Sequence, residues 1–393
     1  MRLLHTSDWH LGRSLHGVDL VDAQRVFIDQ IVALAESESV DAVLVAGDVF
    51  DRAVPPVETV ALFSDALARL VQHCEVVVLA GNHDSATRLG FGAQIHRREI
   101  HFATDIARVG EAIELRVGDE SVLIYPIPYL DPDGARSILS ASPEPLQRSH
   151  EAVMAAAMAR INADRASRAQ ARGSQPSVVT AHAFVVGGRA SDSERDITVG
   201  TVDSVPVELF DGIDYVALGH LHGPQSIGAA GNSPRRVVEY SGSPLRYSFS
   251  ERDQVKSVTI VDIETSGEVT TQRLPLAQPR GMARLEGTLA EVLSNPVLAE
   301  LKDQWLQVFV TDPSRPERLH EHIREVLPFA ISIEHRPQLT NVTAAAVQQV
   351  MTATDPTTVC TEFFARVTGS PPSEAEIVVL SNAYVTARES SQV

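Results

Sequence analysis

Five stretches of this chain end in residues able to hold a metal ion. They are LLHTSDWH (Asp8, His10), AVLVAGDVFD (Asp48), VVVLAGNHD (Asn82, His83, Asp84), VVTAHA (His182) and YVALGHLH (His220, His222). Carboxylate, carboxamide and imidazole groups together make a mixed oxygen and nitrogen donor set, suited to Mn, Fe or Zn. Asp8, His10, Asp48, Asn82, His182, His220 and His222 are too many donors for one tetrahedral ion and about right for two. Two ions roughly 3.5–4 Å apart are the usual device of enzymes that cut phosphate esters. His83 directly follows Asn82, and adjacent residues are poorly placed to grip the same ion. It is better placed to face a substrate as proton donor, with Asp84 orienting it or raising its pKa.

The elements that must position these residues are visible in the same stretches. Four of the five apolar runs are short and rich in Val, Leu or Ala, as buried parallel strands are. Each therefore delivers its polar residues to the carboxyl-end edge of a sheet, where open α/β sheets bind ligands. In Asp8-x-His10 and His220-x-His222 the paired residues are two apart, and in extended chain such residues point the same way. Asp48 follows a glycine, which permits a sharp turn on leaving the strand. Its two carboxylate oxygens suit it to bridge two cations.

Taken singly, a D-x-H pair, a GDVFD turn or a buried histidine has an ordinary structural explanation. The five together, each after a strand-like run, do not. The chain contains its own control in His320 and His322, within RPERLHEHIREVL. That stretch reads as a helix, where residues two apart point in nearly opposite directions, so this H-x-H is a surface feature. His5, His73, His101, His150 and His335 read as structural or surface histidines. His16 and His96 stay open for substrate contact.

The order D-x-H, GD, GNHD, H, G-H-x-H resembles the calcineurin-like metallophosphoesterases. The flanking segments HTSDWHLG, AGNHDSATRL, DYVALGHLHGPQ and YSGSPLRYSFSE are similar to those of the SbcD family of bacterial nuclease subunits. The resemblance spans residues 1 to about 265 with specific motifs and continues more weakly beyond. It implies a manganese-dependent nuclease that trims double-stranded DNA ends and opens hairpins, as a homodimer working with a coiled-coil ATPase of the SbcC type. It carries over Asp8, His10, Asp48, Asn82, His182, His220 and His222 as ligands of two divalent ions, and His83 as the catalytic histidine. Archaeal relatives often have a histidine directly after the GD-x-F segment, where this chain has Asp51.

At 393 residues the chain is long enough for two or three domains and a full core. Hydrophobic content of 44% and charged content of 21% are those of a globular protein. No apolar run approaches the ~20 residues needed to span a bilayer, and MRLLHTSD lacks the build of a signal peptide. Cys74 and Cys360 are far apart, which speaks against a disulfide framework. These features point to a cytoplasmic protein with no membrane attachment. The net charge of −18 runs against simple DNA binding, since phosphate contacts need a basic surface. Bound cations supply local positive charge that this count omits. Arginines also cluster, at Arg97–Arg98, at Arg235–Arg236, and as Arg148, Arg160, Arg165, Arg168 and Arg172. The plain reading of each cluster is a solvated face, which leaves the grip on DNA largely to a partner.

The expected fold class is α/β: a two-sheet metallophosphoesterase sandwich flanked by helices, over residues 1–275. Strand and helix patterns alternate from the N-terminus as a βαβαβ series, which implies a parallel core. Residues 147–172, rich in Ala and Arg, read as one long surface helix. Segment 187–200 is polar and Gly-rich, either a disordered loop or one that folds over the metal site or touches DNA. PLAQPRG, 275–281, is a linker by composition. Residues 282–337 read as a small α+β unit, which the resemblance makes a DNA-capping domain. Residues 341–393 read as a helical tail whose helices start at Asp355 and Ser373. Val359, Phe363, Phe364 and Val367 form an apolar stripe on the first of these helices. It either packs back on its own protein or docks the ATPase.

The leading function is a two-metal DNA nuclease. The alternative keeps the metals and changes the substrate to small phosphoesters or phosphoproteins, which suits the acidic charge but leaves the cap and tail unexplained. A scaffold without catalysis leaves the donor set itself unexplained.

Overall fold

The structure is a computed structural model and describes residues 1–95, 98–194, 204–228, 236–337 and 356–390. His96, Arg97, Arg235, Asp355, the far part of the 187–200 loop and the start of the expected tail lie outside the described residues. The chain divides after Gly281 into two units.

The first unit is built on two six-stranded sheets. In one, Arg2–Thr6, Ala42–Val45, Glu75–Leu79 and Ile100–Ala103 run parallel. Ser257–Ile263 and Val269–Pro275 extend it in antiparallel fashion beyond Arg2–Thr6. In the other, Val237–Tyr240, Tyr215–Gly219, Ser177–His182 and Glu120–Ile127 run parallel. Gln225–Ile227 and Ile113–Val117 close its edges antiparallel. Both sheets therefore carry their parallel strands together, with antiparallel strands added outside.

The sheets face each other across one apolar layer. Leu3, Leu44 and Val77 from the first meet Ile124, Val178, Tyr215 and Ala217 from the second. The other side of the second sheet packs through Tyr125, Ile127 and Val179 onto Met154, Met158 and Ile161 of helix His150–Arg172. That helix begins where Ser149 accepts a hydrogen bond from the Ala152 N–H, and it ends at Gly173. Helices Val21–Ser37 and Val57–Leu70 pack on one another and bury Phe27, Ile28 and Ile31 with Leu62, Phe63 and Ala66. Trp9 is fully buried and meets Phe27 and Phe63 edge-on at 5.7 and 6.2 Å. The segment between Asp8 and His10 is thus pinned by its own aromatic residue.

The second unit has a three-stranded parallel sheet, Met282–Gly287, Trp305–Val310 and Ala330–His335. Leu285, Leu306, Val308 and Val310 pack with Leu319, Ile323 and Leu327. The last three lie on or just after helix Leu319–Val326, where His320 is exposed and His322 half-buried, as the helical reading of that stretch requires. Helices Pro356–Thr368 and Glu374–Ser390 pack on each other. Ser373 and Glu376 cap the second reciprocally: Glu376 accepts from the Ser373 N–H at 2.8 Å. Phe363 is 61% and Val367 43% exposed, so this part of the stripe is not core. The Val359 side chain lies outside the described ones.

Candidate metal centre

Strand register brings the five motifs together. Thr6 pairs with Val45, and Val45 with Val78, so three parallel strands end level. Asp8, Asp48 and Asn82 follow within a few residues of those ends. In the second sheet His182 pairs with Gly219, immediately before His220. The Asp8 and His10 N–H groups donate to the Gly47 and Asp48 carbonyls at 3.0 and 2.9 Å, tying the first two turns side by side.

The turns are strained. Asp8, His10, Asp48 and His220 have φ of 54°, 43°, 49° and 108°. Such values are uncommon for residues with a Cβ, cost on the order of 1–3 kcal/mol each, and cluster at functional sites. The glycines in these motifs are required by close approach. A Cβ at Gly47, itself at φ +89°, falls 2.4 Å from His182 Nδ1, and one at Gly219 falls 1.8 Å from the Ala46 carbonyl oxygen. These contacts join the two sheets at their carboxyl ends.

Three groups of buried side chains there have ligand atoms within 4.8 Å of one another: Asp8, His10 and His222; His10, Asp48 and His83; and Asp8, Asp48 and His182. Asp8, His10 and Asp48 each belong to two groups. His182 Nδ1 lies 3.0 Å from the Ala46 carbonyl and Nε2 2.9 Å from Asn82 Oδ1. Both oxygens only accept and the neutral ring has one proton, so donation to Ala46 leaves Nε2 and Asn82 Oδ1 as facing lone pairs suited to a cation. Such a bond to the far nitrogen is how metal-binding histidines are oriented. His220 donates its backbone N–H to the Asp8 carboxylate at 3.1 Å, and its ring lies 5.4 Å from that of His182.

The donor set fits a cation better than it fits itself. His10 Nε2 and His222 Nε2 face each other at 3.0 Å, and buried His10 Nδ1 has no hydrogen-bond partner. Burial pushes Asp8 up to about 6 and His182 down to about 3, and holds His10 and His220 well below the usual histidine range. Left to themselves these groups resist charge. A divalent cation reverses that preference for the carboxylates and takes the lone pairs of neutral imidazoles.

His83 lies beside the same cluster. Its backbone N–H donates to Asp48 Oδ1 at 2.9 Å, and its Nδ1 donates to the Asp51 carbonyl at 2.8 Å. Nε2 lies 3.9 Å from Asp48 Oδ2. Asp84 does something other than the sequence suggests. Its carboxylate accepts the N–H groups of Val49, Phe50 and Gly81 at 3.0, 2.9 and 2.9 Å, tying the GD and GNHD loops together. A bond that orients the His83 ring comes from the Asp51 main chain. A main-chain partner for a histidine leaves no mark in a residue pattern.

Of the site's other neighbours, Ser193 and Glu194 fall in a segment the sequence marks, the 187–200 loop read as able to fold over the site. Both reach His222. Glu251 and Lys256 form a fully buried ion pair at 2.6 Å next to it. Arg13 donates to the Ser193 carbonyl at 2.7 Å and sits over the Tyr247 ring. His16 is exposed and tilts against Phe249 at 5.4 Å. The arginine clusters are mostly engaged within the protein. Arg148 binds Asp133, Arg160 the carbonyls of Ala107 and Ile138, Arg165 that of Gly212, and Arg168 and Asp164 pair. Arg236 binds Val207 and Asp211.

Comparison with known proteins agrees with this geometry. The calcineurin-like phosphoesterase family matches residues 1–224, and the family described as type 5 capsule protein repressor C-terminal domain matches residues 278–368. The chain is 35% identical over 344 residues to the SbcD component of nuclease SbcCD from Bacillus subtilis (strain 168), covering 85% of each. It is 34% identical over 342 residues to the component of the same name from Escherichia coli (strain K12), covering 83% of this chain and 81% of the relative. The Staphylococcus epidermidis protein of that name is 27% identical over 339 residues, with 85% of each covered. With the ligand turns of both sheets converging on buried carboxylates and imidazoles, the chain belongs to the calcineurin-like phosphoesterases and, within them, to the SbcD family of SbcCD nuclease components.

Proposed function

We propose that this chain is a two-metal phosphodiesterase that cuts DNA in repair and recombination, as exonuclease at double-strand ends and endonuclease at hairpins and single strands. The observation that carries the reading is the convergence of Asp8, His10, Asp48, His182 and His222 at level strand ends, with Asp48 and Asp8 each shared between groups. Shared carboxylates are what two adjacent ions need, and manganese suits the mixed oxygen and nitrogen donors. When bound, the ions supply positive charge for the scissile phosphate and the acidity that turns water into a nucleophile at neutral pH.

The chain's own groups do the rest. Asn82 and His220 complete the ligand set. His83, held through Nδ1 by the Asp51 carbonyl, presents Nε2 toward the cluster and carries a proton there for the leaving oxygen. Asp84 keeps the two loops that bear Asp48 and His83 in register.

The net charge of −18 and the engaged arginines support a division of labour, in which an SbcC-type coiled-coil ATPase supplies much of the DNA grip. Helix Pro356–Thr368 is the docking element, a reading supported by its exposed Phe363 and Val367. Residues 282–337 act as the DNA-capping domain, and the chain works as a homodimer in the cytoplasm. Both cysteines are free, in keeping with that compartment. No helix of the described residues is long and apolar enough to cross a membrane. The relatives, all nuclease components, weigh against a phosphoprotein or small-molecule phosphatase.

The test is to assay the purified chain with Mn²⁺ on a hairpin DNA and on a small phosphodiester. Cleavage of both, the hairpin preferred and stimulated by the ATPase, is expected. Cleavage of the small substrate with no action on DNA in either setting overturns the nuclease reading.

A further inference from the structure

Three of the four polar groups of His222 are held before any ligand arrives. Its backbone N–H donates to Glu194 Oε1 at 2.8 Å. Its carbonyl accepts from the Lys256 ammonium at 2.8 Å. Its Nδ1 lies 2.6 Å from Ser193 Oγ, which is bonded in turn to Glu251 Oε1, and 3.4 Å from Glu251 Oε1 itself. Only Nε2 remains, aimed at His10.

Proton accounting along this chain assigns the tautomer. An ionised carboxylate only accepts, and Glu251 Oε1 faces both the Ser193 hydroxyl, which donates to it, and His222 Nδ1. The Ser193 oxygen is then an acceptor for His222, so Nδ1 carries the ring proton and Nε2 carries the lone pair. Glu251 is kept ionised by its surroundings. Its carboxylate lies 2.6 Å from the Lys256 ammonium, with both side chains fully buried, so the two face each other as an ion pair. Lys256 is held in turn by Ser243 Oγ at 2.9 Å and Gln254 Oε1 at 2.8 Å.

Glu251 and Lys256 side chains are both 0% exposed. A buried pair of this kind is weak evidence for stability, because apolar residues of similar volume often serve as well. Its contacts show a more specific use. One partner bears on the ring of His222 and the other on its main chain.

We propose that Glu251 and Lys256, acting through Ser193, are positioning residues that fix His222 with Nε2 ready to bind a divalent cation. The inference rests on the cation-site reading given above. It assigns to the segment YSFSERDQVK, and to the loop after His182, a role in metal affinity.

The test is Mn²⁺ affinity of the full chain by calorimetry, with thermal melting of the metal-free protein alongside. Ser193→Thr keeps the hydroxyl and Ser193→Val removes it at nearly the same volume. Ser193→Val should weaken Mn²⁺ binding by roughly 10–100-fold, the usual scale for groups that orient ligands. Ser193→Thr should stay near wild type, with both melting alike. Replacing the pair together, Glu251→Gln with Lys256→Met, should weaken binding to a similar degree. If Ser193→Val and Ser193→Thr bind Mn²⁺ equally well, the inference is overturned. Should the double variant fail to fold, the Ser193 comparison decides alone. If the wild-type chain takes up no Mn²⁺, the cation-site reading itself falls, and the inference with it.

Discussion

On the proposed reading, His83 moves a proton while its neighbours hold the metals. The ring nitrogen nearer the backbone is occupied by the Asp51 carbonyl, and the other lies 3.9 Å from Asp48 Oδ2. On the proposed division of roles, His83→Ala should keep metal content near wild type while cleavage falls by roughly 10²–10⁴-fold, the scale of general acid–base help. Elemental analysis beside a cleavage assay reads both, and loss of metal in this variant would make His83 a ligand. The donors are legible in the sequence because each follows an apolar run and their types are chemically restrictive. The groups that orient them are not. Ser193, Glu251 and the Asp51 carbonyl act through tertiary contacts, spanning 29 to 58 positions in the case of His222 and Ser193. The same limit explains Asp84. Adjacency to His83 suggests a partner for the ring, whereas the fold turns its carboxylate onto three backbone N–H groups.

At the scale of elements, strands Arg2–Thr6, Ala42–Val45, Glu75–Leu79, Ser177–His182 and Tyr215–Gly219 are readable as short buried runs, and the two-sheet sandwich follows from them. Edge strands such as Ile113–Val117 and Val269–Pro275 are harder to see, because one-sided exposure dilutes the apolar signal. What the pattern does not convey is how closely the two sheets approach at the site. Gly219 marks it, since a Cβ there meets the Ala46 carbonyl at 1.8 Å. Gly219→Ala should part the sheets at their carboxyl ends and weaken both stability, by about 1–3 kcal/mol, and metal binding. Gly118→Ala is the control. Gly118 has φ +60° with nothing within 4 Å of its Cβ position, so only backbone strain of roughly 1–2 kcal/mol is added. Melting with and without Mn²⁺ tells the two apart. If Gly219→Ala binds metal as well as Gly118→Ala does, the close approach has no bearing on the site.

For the whole molecule the open matter is how a chain of net charge −18 handles DNA. Its arginines near 148–172 are engaged with carbonyls and carboxylates, while apolar side chains on helix Pro356–Thr368 face solvent. Removing residues 341–393 should leave Mn²⁺ binding and cleavage of a small phosphodiester intact. It should abolish co-purification with an SbcC-type ATPase and sharply reduce cutting of double-stranded ends in the reconstituted mixture. Phe363→Asp with Phe364→Asp should mimic the deletion, because burying a lone carboxylate in an apolar contact costs several kcal/mol. Normal pairing of the truncated chain with the ATPase would remove the tail as the main dock. Beneath all of this lies one claim, that the strand ends of two sheets build a site for two cations with Asp48 between them. The direct measurement is the number of Mn²⁺ ions bound per chain at saturation, in wild type and in Asp48→Ala. The account predicts two for the wild type, and fewer for the variant with activity lost in step. One ion in the wild type, or full occupancy and full activity in Asp48→Ala, would contradict it.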